Sequence, residues 1–151
     1  MSKIRLHATC VSIGDAGVLL TGSPGSGKSD LALRLIDRGA MLVADDQVLI
    51  ARRGDHVYAQ APETIRGRME VRGIGVLAMP HAAQAELRLE IDLEGVVVRM
   101  PEPRYAAHEG ILIPYLALAG REASAAAKIW LAVSMLNGPL QEGVTFPFPP
   151  Q

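Results

Sequence analysis

The sequence predicts an α/β domain, a mixed sheet with β-hairpins and flanking helices, and three observations carry the prediction. The first 46 residues run apolar strand, glycine-rich loop, helix, apolar strand. Leu87, Leu89, Ile91 and Leu93 alternate with polar positions. The stretch from Glu122 to Leu136 is alanine-rich and carries one apolar stripe. A chain of 151 residues is long enough for one core and short for two. Residues 1–145 therefore read as one domain and 146–151 as an irregular, proline-rich tail.

From Ile4 to Ile13 the apolar residues partly alternate, which predicts a strand closed by a turn at Gly14-Asp15-Ala16-Gly17. Val18 to Thr21 is short, apolar and glycine-bounded, as a buried strand is. Lys28 to Arg38 favours a helix, with Leu31 and Leu35 one turn apart and Gly39 placed to end it. Ala40 to Ala44 is a second buried strand, ending at Asp45-Asp46. Val48–Ala51 and Val57–Ala59 flank Arg53-Gly54-Asp55 as a hairpin. The alternating run from Leu87 is expected to return after Glu94-Gly95 through Val96-Val97-Val98 as a second hairpin. Ile111 to Leu118 is a further strand, interrupted by Pro114. The last helix sets Ala126, Ile129, Trp130, Val133 and Leu136 on one stripe and ends at Asn137-Gly138-Pro139.

Composition narrows the function. Apolar residues are 49% of the chain and charged ones 21%, the balance of a folded globular domain. Fifteen Lys and Arg against sixteen Asp and Glu leave a formal charge of −1, without the basic excess of a nucleic-acid or membrane-surface binder. Cys10 is the single cysteine, so neither an intrachain disulfide nor a Cys-rich zinc site is available. With no long apolar run, the reading is a soluble, cytoplasmic protein. His56, His81 and His108 are spaced too widely to suggest a metal site.

The strongest chemical signal is Gly22-Ser23-Pro24-Gly25-Ser26-Gly27-Lys28-Ser29, a full match to G-x-x-x-x-G-K-[ST] between a strand and a helix. The glycines let backbone N–H groups turn inward around a phosphate, and the helix N-terminus adds partial positive charge. In such a loop Lys28 reaches the β- and γ-phosphates and the Ser29 hydroxyl serves Mg²⁺. Asp45 and Asp46 end a strand 17 and 18 residues later, where a carboxylate commonly meets the metal directly or through water. On a regular strand the two face opposite ways, one to the metal and one to an incoming hydroxyl. In Glu70-Val71-Arg72-Gly73-Ile74-Gly75, Glu70 and Arg72 share a face if the segment is a strand. Glu70 can then complete a Mg²⁺ shell while arginines clamp phosphate oxygens, or the segment is simply an exposed loop.

Together these segments resemble the catalytic domain of bacterial HPr kinase/phosphorylase, a family that phosphorylates a serine of the phosphocarrier protein HPr. The resemblance rests on Leu6-His7, Gly22 to Ser29, Arg38-Gly39 with Leu42 to Asp46, and Glu70 to Gly75. It implies a P-loop kinase domain like that of phosphoenolpyruvate carboxykinase, with ATP and Mg²⁺ as cofactors and HPr as partner. It also implies that Asp46 takes the proton of the acceptor serine, with Asp45 and His7 as supporting neighbours. Lys28 matches the phosphate-binding lysine, Ser29 and Glu70 the magnesium-binding positions, Arg72 the catalytic signature and Arg99 another family arginine. A short form without the N-terminal regulatory domain is expected, assembled as a homo-oligomer that is hexameric by resemblance. The family segment Pro-Val-Arg-Pro-Gly-Arg-Asn, linked to phosphorolysis of the phosphoserine, is reduced within Pro114 to Glu122 to Gly120-Arg121. A small-metabolite kinase and a non-catalytic nucleotide-binding module are the alternative readings.

Overall fold

The computed structural model describes residues 3–136 and Phe148. Along the chain lie strands Ile4–Leu6 (β1), Thr9–Ile13 (β2) and Ala16–Thr21 (β3), helix Lys28–Asp37 (α1), then strands Met41–Ala44 (β4), Val48–Arg53 (β5) and His56–Gln60 (β6). A 3₁₀ turn at Glu63–Ile65 leads to Arg68–Val71 (β7), Gly75–Ala78 (β8), Ala85–Asp92 (β9), Tyr105–His108 (β10), Ile111–Ala117 (β11) and helix Ala125–Leu136 (α2). Among the described residues no helix is long and apolar enough to cross a membrane.

The strands form one nine-stranded mixed sheet, ordered β1-β5-β6-β9-β3-β2-β4, with β11 beside β9 and β10 beyond it; β7 and β8 make a separate two-stranded sheet. Strand β2 pairs antiparallel with both β3 and β4, so β3 and β4 run the same way with β2 between them. The expected strand–loop–helix–strand unit is therefore present, its crossover helix spanning one inserted strand. β9 is parallel to β3, and β11 is parallel to β9. Four strands, β4, β3, β9 and β11, thus end at the same end of the sheet. Functional sites of α/β sheets collect at such carboxyl ends.

Several sequence expectations are corrected by pairing. The run Ile4–Ile13 is two strands, broken at His7 and Ala8, because β1 pairs with β5 while β2 pairs with β3 and β4. The turn expected over residues 14–17 is only Gly14-Asp15, with Ala16 already paired to Ile13. Gly14 has φ +61°, the left-handed value that the first turn residue of a tight hairpin requires. The return strand at Val96–Val98 does not form. β3 occupies one edge of β9 from Glu86 to Asp92, while β6 at Ala85–Glu86 and β11 at Glu90–Asp92 occupy the other. With both edges of β9 largely taken, the three valines are left exposed in an irregular loop. Pro114 does not interrupt β11. Tyr115 N–H donates to the Arg104 carbonyl, so the neighbouring Tyr105–Pro114 pair is one that exchanges no ladder bonds, and pairing with β9 starts only at Tyr115.

The apolar residues sort into two clusters, one on each face of the sheet. One packs Val11, Val18, Leu20, Leu89 and Ile91 against Leu31 and Leu35 of α1 and Ile129 of α2; the other holds Cys10, Leu19, Val43, Val48, Ile50 and Leu87. Leu87 and Leu89 belong to different clusters because the β3–β9 register steps from Gly17–Leu87 to Val18–Leu89, leaving Arg88 as a bulge. On α2, Ala126, Ile129 and Leu136 of the predicted stripe are buried, with Trp130 and Val133 packed against them. Its first helical residue is Ala125 rather than Glu122, and its predicted stop at Asn137-Gly138-Pro139 lies outside the described residues. Of the predicted tail, Phe148 alone is described; it is buried in the cluster beneath α1.

Candidate functional site

The phosphate loop leaves β3 after Thr21 and enters α1 at Lys28. Its backbone needs glycine twice for different reasons. Gly27 caps the helix at φ +98°, a left-handed conformation costly for any residue with a Cβ. A Cβ on Gly22 would stand 2.4 Å from the Ser26 Oγ, at φ +152°. No side chain caps α1, so its first backbone N–H groups keep the free, positively polarised character that binds anions. The Ser26 hydroxyl is buried in the loop with no hydrogen-bond partner. These unmet donors fit a phosphate group.

Lys28 is buried, and its Nζ donates to the carbonyls of Gly22 at 2.7 Å and Ser23 at 3.1 Å. Two of the three ammonium N–H bonds are thereby directed into the loop, and one remains. In the next position Ser29 Oγ donates to Asp45 Oδ1 at 2.7 Å, tying the first turn of α1 to the end of β4.

Sorting of the two aspartates depends on Thr9, a fully buried residue at the start of β2. Its hydroxyl donates to Asp45 Oδ1 at 3.1 Å and accepts the Asp46 N–H at 3.2 Å. The strand has ended by then, and Asp46 adopts φ +68°, a left-handed conformation that aspartate tolerates better than most residues. The two carboxylates thus diverge through a left-handed turn, not through the alternation of a regular strand. Asp45 turns toward Ser29, whereas Asp46 is exposed and lies 3.5 Å from His7 Nε2. The break between β1 and β2 is what frees His7 to reach it.

The structure therefore joins His7, Asp46, Thr9, Asp45 and Ser29 into one network, with Lys28 on the adjoining residue. It does not join Glu70, Arg72 or Arg99 to that network by any hydrogen bond or ion pair. β7 ends at Val71, so Glu70 and Arg72 do not share a strand face; Arg72 lies in the turn between β7 and β8. Met69 and Val71 pack on the α1 cluster, which leaves Glu70 on the exposed side of β7. Arg99 lies exposed in the loop after β9. Among the described residues no group of three His, Cys, Asp or Glu side chains could hold a metal ion. A Mg²⁺ site here would draw on the Ser29 hydroxyl, the neighbouring Asp45 carboxylate and the terminal phosphates themselves.

Two contacts reach the loop from residues outside its own motif. Glu94, just past β9, accepts the Ser23 backbone N–H on Oε1 and the Ser23 hydroxyl on Oε2, the latter at 2.6 Å. Those bonds hold its carboxyl below the usual carboxylate range. Arg121, just past β11, donates to the Gly25 carbonyl, and Arg34 of α1 holds the same segment through the carbonyls of Gly120 and Glu122. A glutamate in a loop carries no signature that a sequence can show. Arg121 is visible only as part of the reduced Gly120-Arg121 segment.

Comparison with known proteins identifies the family. The family model described as HPr Serine kinase C-terminal domain matches residues 1–95, and the chain belongs to that family. An HPr kinase/phosphorylase from Clostridium tetani is 38% identical over 100 residues, 66% of this chain and 33% of the relative. Another, from Alkaliphilus metalliredigens, is 46% identical over 94 residues, 60% of this chain and 30% of the relative. The chain thus spans about a third of the length of these curated relatives. The solved Hpr(Ser) kinase/phosphatase from Coxiella burnetii superposes with a TM-score of 0.76 at 27% identity, covering 86% of this chain and 93% of that one. The mixed α/β architecture is that of the catalytic domain of this family.

Proposed function

We propose that this chain is an ATP-dependent protein-serine kinase whose acceptor is the phosphocarrier protein HPr. The observation that carries the reading is the hydrogen-bonded path from the phosphate loop to an exposed acid, Ser29 to Asp45, Asp45 to Thr9 and Thr9 to the Asp46 backbone, with His7 Nε2 standing 3.5 Å from the Asp46 carboxylate. Its occurrence in a family named for this activity supplies the substrate class.

The chain's own residues do four things in this account. The free N–H groups of the α1 N-terminus and the remaining N–H of Lys28 hold the β- and γ-phosphates of ATP. Ser29, with Asp45 behind it, would hold Mg²⁺, which when bound neutralises phosphate charge; Glu70 is assigned to the same ion by the family resemblance alone, since it stands on the exposed side of β7. Asp46 accepts the proton of the serine hydroxyl as phosphorus is transferred, and His7 holds the Asp46 carboxylate in place. Arg72 and Arg99 are assigned to phosphate charge from outside the loop. Most of the catalytic gain in such a site is positioning and electrostatics.

A second reading adds phosphorolysis of the phosphoserine at the same site; the relatives' name, HPr kinase/phosphorylase, favours it, and the reduction of the linked segment to Gly120-Arg121 counts against it. A cytoplasmic location and homo-oligomeric, hexameric assembly complete the proposal. Incubation with labelled ATP, Mg²⁺ and HPr tests it, the expected result being label on a serine of HPr. Label on a small metabolite instead, or on neither, would replace it with one of the two alternatives.

A further inference from the structure

Glu94 is the ionised side chain at the loop that the mechanism above does not use. The Gly22 carbonyl and the Ser23 N–H are the two ends of one planar peptide unit. The carbonyl end receives Lys28 Nζ at 2.7 Å, and the N–H end is taken by the Glu94 carboxylate. A single peptide plane therefore stands between an ammonium and a carboxylate. It cannot rotate its oxygen away from Lys28 without drawing its N–H off Glu94. The Ser23 hydroxyl on the second carboxylate oxygen and the Ser23 carbonyl on Lys28 complete the same clamp.

Glu94 is itself fixed. Its backbone N–H and that of Gly95 donate to Asp92 Oδ1 at 2.9 Å and 3.1 Å, and the Tyr115 hydroxyl donates to Asp92 Oδ2 at 2.5 Å. Burial works to raise the Asp92 carboxyl, yet these donors and Arg104 hold it below the usual range, so the anchor is ionised at neutral pH.

We propose that Glu94 is a positioning residue that fixes the phosphate-binding Lys28 by locking the Gly22–Ser23 peptide. The inference rests on the nucleotide-binding part of the proposed function. Glu94 is exposed, so its substitution does not disturb the core.

The test is the affinity of the full chain for a fluorescent ATP analogue with Mg²⁺. Glu94→Ala is expected to weaken binding about tenfold, and Glu94→Gln by less, because an amide oxygen still accepts the Ser23 N–H. The decisive arm repeats Glu94→Ala in a Lys28→Met background, where a residue acting through Lys28 has nothing left to position and no further loss is expected. Glu94 variants that bind as the parent does, or a full loss that persists without Lys28, would overturn the inference while leaving the proposed function standing. A parent protein that binds no nucleotide would overturn both.

Discussion

Ser29 and Asp45, sixteen residues apart, are joined by a 2.7 Å hydrogen bond from the serine hydroxyl to the aspartate Oδ1. That bond connects the residue after the loop lysine to the first of the two acids that follow β4. Replacing Asp45 with Asn keeps an acceptor for Ser29 but removes the charge. The Mg²⁺ concentration needed for half-maximal transfer should rise about tenfold, with nucleotide affinity little changed. A Mg²⁺ titration of the transfer rate checks this.

Thr9 is the hidden organiser of the acid pair. Thr9→Val keeps the shape but leaves the Asp46 N–H without its partner and releases Asp45. A part-buried hydrogen bond is worth about 0.5–1.5 kcal/mol. For a domain of this size its loss lowers Tm by about 2–5 °C. Thermal unfolding followed by circular dichroism measures it, and transfer should slow in the same variant.

Gly17 sits where β3 passes the bulge at Arg88. A Cβ there would lie 2.6 Å from the Glu86 carbonyl oxygen, a backbone atom that cannot swing aside. Gly17→Ala should cost about 2 kcal/mol by overpacking. Urea unfolding should show a lower midpoint, and a midpoint equal to the parent's would mean the two strands separate freely.

Cys10 is fully buried on β2, and burial pushes its thiol from 9.0 up to about 12. It should resist a disulfide reagent in the native protein and react once the chain is unfolded. The sign of the pH effect follows. The unfolded chain loses the thiol proton first, so this contribution is intact below about pH 9 and is lost as pH climbs toward about 12. Stability measured across that window should decline less in Cys10→Ala than in the parent.

The parts of the fold legible in the sequence are those whose cause is local. The phosphate loop, α1 and the hairpin of β5 and β6 depend on glycine placement and short-range periodicity. The return strand expected at Val96–Val98 is absent because strands far away in sequence already cover both edges of β9. The break at His7-Ala8 has the same kind of cause, as its two sides answer to different partners. In the site, Lys28, Ser29, Asp45 and Asp46 could be read from motif spacing. Thr9 and Glu94 could not, since one is a hydroxyl inside an apolar strand and the other a surface acid. Only the convergence of four strand ends gives them partners. Arg72 shows a third case: residue type and sequence segment were readable, but not that the segment bends at that residue.

In the proposed reaction Asp46, facing His7 beside the phosphate loop, removes the proton of a protein serine. The most direct test of this role is Asp46→Asn, with nucleotide affinity and label transfer to HPr measured on the same preparation. Affinity like the parent's is expected, with transfer reduced by about 10²–10⁴, the usual worth of a general base. An Asn variant that labels HPr at the parent rate would contradict it.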